Sequence, residues 1–447
     1  MTETSKYFDT VIVGLGKTGF SSACFLSDQN IRFAVTDSRK EPPMLESMQK
    51  KFPDVPLYLG SIDDELLLNA NELLVSPGVS LHEKAIEKAI QNGARVYGDV
   101  ELFCQKINTP IIAITGSNGK STVTTLTAEM IREAGMGVAI GGNLGTPALD
   151  LLHESKPDLY VLELSSFQLE TVSSLNAAAA VVLNISEDHM DRYEDMGDYA
   201  TAKSHIYKGD GAMIVNLDDP YVAEMKNEGR NIIGFTLGEP SGNTYGIRVY
   251  DKERWLMKGD QKLIPAAKLC IQGDHNISNA LAALALGDAI SLPEKAMLNA
   301  LQKYSGLPHR CQFVAEINGV AWYNDSKGTN VGATCAAIEG MAGHGNLILI
   351  AGGMSKGANF KRLAEAAKDR LRAAIVIGAD GPLIKESLED LVPVYETGDM
   401  QKAVSTAAKL ATTGDVVLLS PACASFDMFI DYQDRGNAFI EAVEKLK

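Results

Sequence analysis

Short apolar runs that end in glycine or polar residues recur along the whole chain, and most are followed by a segment of helical character. The first runs cover residues 9–13, 31–36, 73–75 and 95–97, and the next cover 111–115, 159–164, 178–184 and 213–216. The last cover 319–325, 347–351, 373–377 and 416–419. Buried strands that alternate with helices are typical of α/β units with parallel sheets. We therefore predict an α/β fold with a mostly parallel sheet in each unit.

Two segments depart from this alternation. Residues 231–264 alternate polar and apolar positions and are rich in glycine and tyrosine, which predicts antiparallel strands. Residues 141–147 contain three glycines and a proline, which predicts irregular structure. After them, residues 274–290 and 294–303 have the composition of helices.

The chain of 447 residues is too long for a single hydrophobic core. Breaks in the pattern near Gly98 and Gly306 predict three tandem domains, at residues 1–98, 99–306 and 307–447. We expect three α/β units in tandem, of which the first has a dinucleotide-binding layout and the second opens with a phosphate-binding turn.

Composition and charge exclude several classes of protein. The chain is 45% hydrophobic and 22% charged, as in ordinary globular proteins, but its net charge is −16 and its pI is about 5.0. This charge argues against non-specific binding to nucleic acids or to anionic membranes. The polar N-terminus predicts no secretory signal, and no apolar run reaches the length of a membrane span. Six scattered cysteines are expected to be reduced thiols of a cytoplasmic protein: Cys24, Cys104, Cys270, Cys311, Cys335 and Cys423.

The strongest chemical signal is a glycine-rich turn between the strand at residues 111–115 and a helix. This turn, residues 116–122, has the sequence GSNGKST, and we call it the phosphate loop. Its backbone N–H groups and the helix N-terminus predict an anion site. Lys120 would reach the β- and γ-phosphates, and Ser121 would bind Mg²⁺. Ile114 stands where the standard phosphate-loop pattern has its first glycine, so the match to that pattern is incomplete.

A second glycine turn follows the first strand of the chain. Residues 14–19, GLGKTG, match the dinucleotide-binding pattern, and Asp37 after the next strand is placed to meet a ribose hydroxyl. Taken alone, this layout indicates NAD, although any nucleotide diphosphate satisfies the same physics. Arg39, two residues after that acid, could instead contact a phosphate or a uracil edge. A turn kept only for packing is the third interpretation.

Polar residues at other strand ends predict a metal site next to the phosphate loop. Glu163 and His189 end two strands, and with the Ser121 hydroxyl they offer ligands that suit Mg²⁺. Lys203 lies in a helix of small residues, where its composition alone favours a solvated surface position. The Pro-Gly turn at residues 76–79 is expected to face a ligand crevice.

The third domain has basic residues at its strand ends, and Lys356 in a glycine-rich segment is expected to contact an anion. No nucleophile or acid–base triad is evident in the chain. Catalysis would therefore depend on proximity and on neutralisation of charge.

Taken in order, these motifs resemble the Mur ligases of peptidoglycan synthesis. The matching segments extend over essentially the whole chain: GLGKTG, SPGV, GDVELF, TGSNGKST, LELSSFQL, NISEDHMDRY, GDHNISNALAA, GLPHRCQ, NDSKGTN and LSPACASFDMF. Within that family they are most similar to the branch that adds D-glutamate to UDP-N-acetylmuramoyl-L-alanine.

The resemblance implies a Rossmann-like first domain that binds the UDP substrate, a central P-loop-like ATPase domain, and a Rossmann-like C-terminal domain that closes on ATP and the amino acid. It implies ATP as co-substrate, two Mg²⁺ ions and a CO₂-derived carbamate on Lys203, which replaces the solvated interpretation of that lysine. UDP-N-acetylmuramoyl-L-alanine then replaces NAD as the ligand of the first domain. A monomer that acts on small molecules alone, with no nucleic acid and no membrane, is expected.

The resemblance also assigns roles to residues position by position. ATP would be bound by Gly116, Ser117, Asn118, Gly119, Lys120, Ser121, Thr122, Asn276, Asn279, Arg310 and Asp325. The UDP substrate would be bound by Leu15, Gly16, Lys17, Asp37, Ser38, Arg39, Ser76, Gly78, Asn143 and Ser165. D-Glutamate would be bound by Lys327, Thr329, Lys356, Ser425, Phe426 and Tyr432. The metal ligands would be Ser121, Glu163, His189 and Lys203, and the catalytic residues Lys120, His189, Lys203 and Lys356.

Three other hypotheses are compatible with parts of the sequence. Another Mur ligase or an enzyme similar to folylpolyglutamate synthase would share the ATPase motifs. The absence of the DNPR-type motif counts against the branch that adds diaminopimelate or lysine. An NAD-dependent oxidoreductase or a nucleotide-sensing protein without turnover would explain only the glycine turns.

Overall fold

The computed structural model describes residues 8–153, 156–190, 192–271, 273–341, 343, 345–355 and 357–446. Three sheets follow one another along the chain, and the central strands of each sheet are buried on both faces. In the first strand, for example, Val11 and Val13 pack in one hydrophobic cluster, whereas Ile12 between them packs in another. Such strands read as continuous apolar runs because helices cover both sides of the sheet.

The N-terminal domain has five parallel strands. They are β1 (Phe8–Val13), β2 (Phe33–Asp37), β3 (Leu57–Leu59), β4 (Ala70–Val75) and β5 (Arg95–Tyr97), in the order β3-β2-β1-β4-β5. The helices are α1 (Lys17–Asp28), α2 (Leu45–Lys51), α3 (Asp64–Leu68) and α4 (Lys84–Gln91), and α5 (Asp99–Lys106) follows the sheet. The strand order reverses between β1 and β4, so a ligand crevice is expected beyond their carboxyl ends.

The central domain has nine strands. They are β6 (Ile111–Thr115), β7 (Val138–Gly142), β8 (Leu159–Glu163), β9 (Ala179–Val182), β10 (Ala212–Asn216), β11 (Ile232–Phe235), β12 (Thr244–Tyr250), β13 (Glu253–Lys258) and β14 (Gln261–Pro265). Their order is β14-β13-β12-β11-β10-β9-β6-β8-β7. The helices are α6 (Lys120–Glu133), α7 (Ser166–Glu170), α8 (Met196–Ser204), α9 (Pro220–Glu224), α10 (Asp274–Ala289) and α11 (Glu294–Lys303), with 3₁₀ turns at Ala148–His153, His205–Tyr207 and Ala266–Lys268.

The C-terminal domain has six strands. They are β15 (Gln312–Ile317), β16 (Val320–Asn324), β17 (Leu347–Gly352), β18 (Leu371–Ile377), β19 (Val394–Glu396) and β20 (Val416–Leu419), in the order β15-β16-β20-β17-β18-β19. Only the edge strand β15 runs antiparallel to its neighbour. The helices are α12 (Val331–Met341), α13 (Lys361–Ala367), α14 (Gly381–Leu388), α15 (Met400–Leu410) and α16 (Tyr432–Glu444). The three-domain α/β architecture with mostly parallel sheets is therefore confirmed.

Two local predictions need correction. Residues 231–264 are antiparallel only from β12 to β14, since β11 pairs in parallel with both β10 and β12. The glycine-rich segment at 141–147 is not irregular throughout, since Gly141 and Gly142 complete β7. A Cβ on Gly142 would collide with the Glu163 carbonyl oxygen, so this glycine serves close packing of the strands.

None of the described helices is both long and apolar enough to cross a lipid bilayer.

Candidate active site

The phosphate loop is a tight turn held against two neighbouring elements. β6 is fully buried and leads into Gly116, whose φ of +149° lies in the region that favours glycine. A Cβ on Gly116 would lie 2.9 Å from the Cβ of Leu183, and one on Gly119 would collide with the Asn279 side chain. α6 begins at Lys120 with no side-chain cap, so its first N–H groups face the loop. The loop therefore has the geometry of an anion site.

The Lys120 side chain binds the backbone of its own loop. Its Nζ donates hydrogen bonds to the carbonyl oxygens of Gly116, at 2.8 Å, and of Ser117, at 3.0 Å. Burial lowers the pKa of Lys120, while the negative charges of Glu163 and Asp188 oppose that shift. The amine is thus held where the strand end, the loop and the helix N-terminus meet.

Lys203 on α8 binds the backbone of the same loop. Its side chain is only 1% exposed, and its Nζ donates to the Gly116 carbonyl oxygen at 3.0 Å. The amine also lies 4.5 Å from the ring centre of Tyr199. Burial, reinforced by the charge of Lys120, lowers the pKa of Lys203 well below its usual value. The solvated position that composition favoured for Lys203 is therefore wrong.

Glu163 provides the clearest indication of a cation site. It ends β8 and is buried, and its Oε1 accepts a hydrogen bond from Asn143 Nδ2 at 2.7 Å. Its Oε2 is also buried, yet it has no hydrogen-bond partner among the described residues. A buried carboxylate oxygen left in this way is suited to a metal ion, because burying an uncompensated charge is costly.

The other predicted metal ligands, Ser121 in the phosphate loop and His189 after β9, have partners of their own. Ser121 Oγ accepts a hydrogen bond from Arg310 Nη2 at 2.8 Å. His189 has a left-handed backbone with φ of +60°, and its ring meets that of Phe167 edge-on at 4.8 Å. Among the described residues, no three His, Cys, Asp or Glu side chains form a metal cluster. Mg²⁺ commonly keeps waters and substrate phosphates as ligands, so such a cluster is not required.

A first cavity, of about 520 Å³, lies between the N-terminal and central domains. We call it the nucleotide-sugar cavity, after the ligand that the family resemblance implies for its residues. Eight of the ten residues predicted for the UDP substrate line it: Gly16, Lys17, Asp37, Ser38, Arg39, Ser76, Gly78 and Asn143. The other two predicted residues do not line it. Leu15 is fully buried, and its backbone N–H donates to Asp37. Ser165 caps α7, where its Oγ accepts a hydrogen bond from the Gln168 N–H. Sequence reasoning missed Gln168 and Pro147, which lie in motifs or turns next to predicted residues.

Asp37 binds two other residues of this region, Leu15 and Arg39, through hydrogen bonds. Its two oxygens accept hydrogen bonds from Arg39 Nε at 2.9 Å and Nη2 at 2.7 Å, and the Leu15 N–H adds a third at 2.7 Å. Burial raises the pKa of Asp37, but the bonds from Arg39 and Leu15 outweigh it and leave the pKa below its usual value. The acid expected to meet a ribose thus holds Arg39 at the cavity wall.

A second cavity, of about 290 Å³, lies between the central and C-terminal domains, and we call it the ATP cavity. Its walls include predicted residues from both sides: Asn118, Gly119, Thr122, Asn276, Asn279, Arg310, Asp325 and Lys327. Asp325 is buried and accepts hydrogen bonds from the Cys311 N–H at 3.1 Å and from Ser420 Oγ at 2.7 Å. Burial raises its pKa to about 6. His275 and Arg362 also line this cavity and were missed.

Of the described residues predicted for D-glutamate, Lys327 lines the ATP cavity. The Lys327 ammonium lies 4.0 Å from the ring centre of Tyr432, and Thr329 donates its N–H to the Lys327 carbonyl at 2.8 Å. Ser425 is buried, whereas Phe426 beside it is 67% exposed. Lys356 lies outside the described residues.

Arg435 was missed by sequence reasoning, although it supports two of these loops. It is buried, and its guanidinium donates to the Ser326 carbonyl at 2.8 Å and to the Cys423 carbonyl at 3.1 Å. Burial lowers its pKa to about 10. No local signal marks this arginine, because its partners are backbone groups distant in sequence.

Family models match all three parts of the chain. A Mur ligase middle domain matches residues 114–287, a MurD-like Mur ligase N-terminal domain matches 8–98, and a Mur ligase glutamate ligase domain matches 309–423. These matches cover most of the chain, so the protein belongs to the Mur ligase family.

Curated relatives are similar over the full length. A protein from Nitrosococcus oceani is 54% identical over 437 residues, which is 98% of this chain and 96% of the relative. One from Pseudomonas aeruginosa is 49% identical over 438 residues, which is 98% of each chain. Both relatives are named UDP-N-acetylmuramoylalanine–D-glutamate ligase.

A solved structure supports the fold alone. The UDP-N-acetylmuramate–alanine ligase MurC from Thermotoga maritima aligns with a TM-score of 0.62 at 17% identity, over 99% of this chain and all of that one.

Proposed function

We propose that the protein is a cytoplasmic, monomeric ATP-dependent ligase that joins D-glutamate to UDP-N-acetylmuramoyl-L-alanine in the synthesis of peptidoglycan precursors. The observation that carries the proposal is the phosphate loop. Asn118 and Gly119 of this loop line the ATP cavity. Lys120 and Lys203 both donate hydrogen bonds to the Gly116 carbonyl of the loop. Glu163 accepts a hydrogen bond from Asn143, which lines the nucleotide-sugar cavity. A nucleotide triphosphate and a carboxylate substrate can therefore meet at this loop.

The reaction has two bond-forming steps. The alanyl carboxylate of the UDP substrate attacks the γ-phosphorus of ATP, which forms an acyl phosphate and releases ADP. The amine of D-glutamate then attacks the acyl carbon, and the tetrahedral intermediate collapses to an amide and phosphate. The chain contributes mainly alignment of the reactants and stabilisation of charge, with no protein nucleophile.

Each cavity supplies one reactant in this proposal. The nucleotide-sugar cavity holds the UDP moiety between Lys17, Arg39 and the turn at Ser76 and Gly78, with Asn143 near the alanyl end. Asn276, Asn279, Arg310 and Asp325 hold the adenine nucleotide in the ATP cavity. D-Glutamate would be held by Lys327, Thr329, Ser425, Phe426 and Tyr432, together with Lys356.

Mg²⁺ fits the residues beside the phosphate loop. Glu163 offers the buried oxygen without a partner, and Ser121, His189 and a modified Lys203 complete the set of proposed ligands for two ions. When bound, the metal neutralises the charge of the phosphate groups. The residues themselves fix the loop: Ser121 is positioned by Arg310, and Glu163 by Asn143.

Lys203 is proposed to carry a carbamate. Its neutral amine adds to CO₂, forms an N–C bond and loses one proton, so that a carboxylate replaces a potential cation. Burial favours this chemistry because it lowers the pKa of the amine and so increases the unprotonated fraction. An anion there would also relieve the repulsion between the two neighbouring lysines.

The direct test is ADP release by the full-length protein with Mg²⁺, ATP and UDP-N-acetylmuramoyl-L-alanine. D-Glutamate, L-glutamate, L-alanine and no amino acid would be compared. Release with D-glutamate alone is expected. Release with another amino acid would move the protein to a different branch of the family, and no release under any condition would overturn the proposal.

A further inference from the structure

Arg192 connects two domains through contacts that no step above uses. It follows β9 and lies three residues after His189, and its backbone N–H donates to the His189 carbonyl at 2.9 Å. Its Nη1 donates to the Pro77 carbonyl at 2.9 Å and its Nη2 to the Val79 carbonyl at 3.1 Å. A central-domain side chain thus holds the backbone of an N-terminal turn 115 positions earlier in the sequence.

The turn that Arg192 holds is a wall of the nucleotide-sugar cavity. Residues 76–79 all line that cavity. Within the turn, Val79 donates its N–H to the Ser76 carbonyl, and Ser76 Oγ donates to the Gly14 carbonyl at 2.9 Å. The position of this turn therefore also determines the position of the glycine turn after β1.

The Arg192 guanidinium also contacts Phe167, which packs against the proposed metal ligand His189. The Arg192 guanidinium lies 4.0 Å from the ring centre of Phe167, and this ring meets the His189 ring edge-on. Glu170 Oε2 accepts a hydrogen bond from Arg192 Nη2 at 3.0 Å, and Tyr193 donates to the other oxygen of Glu170 at 2.5 Å. The side chain is nearly buried, at 12% exposed.

This geometry indicates alignment and not substrate binding. The guanidinium is committed to two carbonyls, one carboxylate and one aromatic face, all from the protein. Arginine suits such a position because its planar fork can hold several acceptors while its face stacks on a ring.

We propose that Arg192 is a positioning residue, which fixes the wall of the nucleotide-sugar cavity relative to His189 and the phosphate loop. Loss of this link would let the turn at residues 76–79 shift against the central domain. The UDP substrate contacts both sides, so its binding and the alignment of its carboxylate would suffer. ATP and D-glutamate have no proposed contact with this turn. This inference rests on the proposed function.

The test compares Arg192→Ala with Arg230→Ala in the full-length protein. Arg230 is a matched control, because it also binds backbone carbonyls, those of Tyr207 at 2.9 Å and of Gly211 at 3.1 Å, but within the central domain. For Arg192→Ala, kcat/KM for the UDP substrate is expected to fall about 10- to 100-fold, as for a reactant displaced by about 1 Å. The KM values for ATP and D-glutamate should stay within about twofold.

Two additional variants protect the test against misfolding. Arg192→Lys keeps the charge beside Glu170 but cannot bridge both carbonyls, so it should show a smaller change of the same kind. Glu170→Gln removes the negative charge that Arg192 contacts, so it should also show a smaller change of the same kind. Thermal unfolding would report any general loss of stability, which we expect to be similar for Arg192→Ala and Arg230→Ala.

Equal changes in KM for all three substrates, or a result for Arg192→Ala that matches Arg230→Ala, would overturn the inference. Failure of the wild-type protein to release ADP with D-glutamate would instead overturn the proposed function. Binding of the UDP substrate alone, measured by calorimetry, separates the two because it needs no turnover.

Discussion

The two cavities differ in what holds their walls together. The nucleotide-sugar cavity lies between domains that share one hydrophobic cluster, in which Ile12 and Leu74 pack with Ala113 and Tyr160 of the central domain. The buried clusters described on the C-terminal side of the ATP cavity contain only residues from 315 onward. That domain meets the phosphate loop through polar bonds, such as Arg310 to Ser121 and Asn330 to Asn118.

This difference indicates that one cavity is preformed and that the other depends on domain position. A shared apolar core resists movement, since separating the domains would expose that surface to water. A polar boundary exchanges its bonds for water at little cost, so relative motion is expected. The predictions below test this contrast, beginning with the phosphate loop that both cavities share.

Lys120→Ala should have the largest effect, because the proposed reactants would meet at the loop that contains Lys120. We expect kcat for ADP release to fall about a hundred- to a thousandfold, as for loss of a preorganised charged donor. Stability should change little, since the Gly116 carbonyl keeps its hydrogen bond from Lys203 and the repulsion between Lys120 and Lys203 is removed. Arg132→Ala on the exposed side of the same helix serves as the control. Activity near the wild-type level would contradict the role of Lys120.

Lys203→Ala should also be inactive, but for a different reason. If a carbamate is the active form, a small carboxylic acid added to this variant should restore part of the ADP release, because it supplies the missing anion. Lys208→Ala is the matched control, since Lys208 Nζ likewise donates to a backbone carbonyl, that of Val172 at 2.6 Å. Full activity without added acid would return Lys203 to a structural role.

A pair of variants should separate the two cavities. Arg39→Ala is expected to raise KM for the UDP substrate about tenfold, and Asn279→Ala to raise KM for ATP by a similar factor, as for loss of one or two polar contacts. Each should leave the other KM within about twofold. If either variant raised both KM values equally, the cavities would not act as separate binding sites.

Movement of the C-terminal domain is expected when ATP and the UDP substrate bind together. The groups that would hold ATP come from two domains that share no buried cluster among the described residues, so binding should draw those domains together. Small-angle X-ray scattering should then show a smaller radius of gyration with both ligands than without them. Identical scattering curves would argue against closure.

Much of the fold and the outline of the site could be predicted from local patterns. The β6 strand, the phosphate loop and α6 are adjacent in sequence, and parallel strands bring their carboxyl ends to one edge of a sheet. For the same reason, the position of Glu163 after an apolar run is enough to predict that it lies near Lys120, whose pKa responds to the charge of Glu163. His189 follows the neighbouring strand β9 and is expected at the same edge.

The remaining features depend on contacts between distant residues. Lys203 is buried because it meets Gly116, which lies 87 positions away, and helix composition carries no trace of that contact. Gly142 belongs to a strand because Glu163 packs against it, although glycine-rich sequence alone favours a loop. The pairing of Asp37 with Arg39 was not predicted, because a sequence pattern indicates which residues follow a strand but not which of them bond to each other.

The smallest expected effect concerns Asp99, which begins α5 between the first two domains. Asp99 is fully buried, and neither of its oxygens accepts a hydrogen bond of good geometry from the described residues. Burial raises its pKa from about 3.8 to about 6, and the N–H groups of Val100 and Ala148 and the Gln168 side chain only partly oppose that shift. The folded state therefore binds this proton more tightly than the unfolded state does. Stability should accordingly fall as the pH rises from about 4 through about 6.

Asp99→Asn should remove this cost, because an amide does not ionise. The variant should therefore be more stable than wild type above pH 6, where Asp99 of the wild type ionises in the folded state. We expect the variant to unfold a few degrees higher than wild type at pH 7.5 and to show a smaller gain at pH 4. Asp54→Asn, at an exposed acid of the N-terminal domain, serves as the control for the loss of one carboxylate. The Gln168 side chain, which acts on Asp99, also lines the nucleotide-sugar cavity. Calorimetry at pH 4 and pH 7.5 would therefore show whether the affinity for the UDP substrate depends on the protonation of Asp99. We expect it not to, since the cavity is preformed.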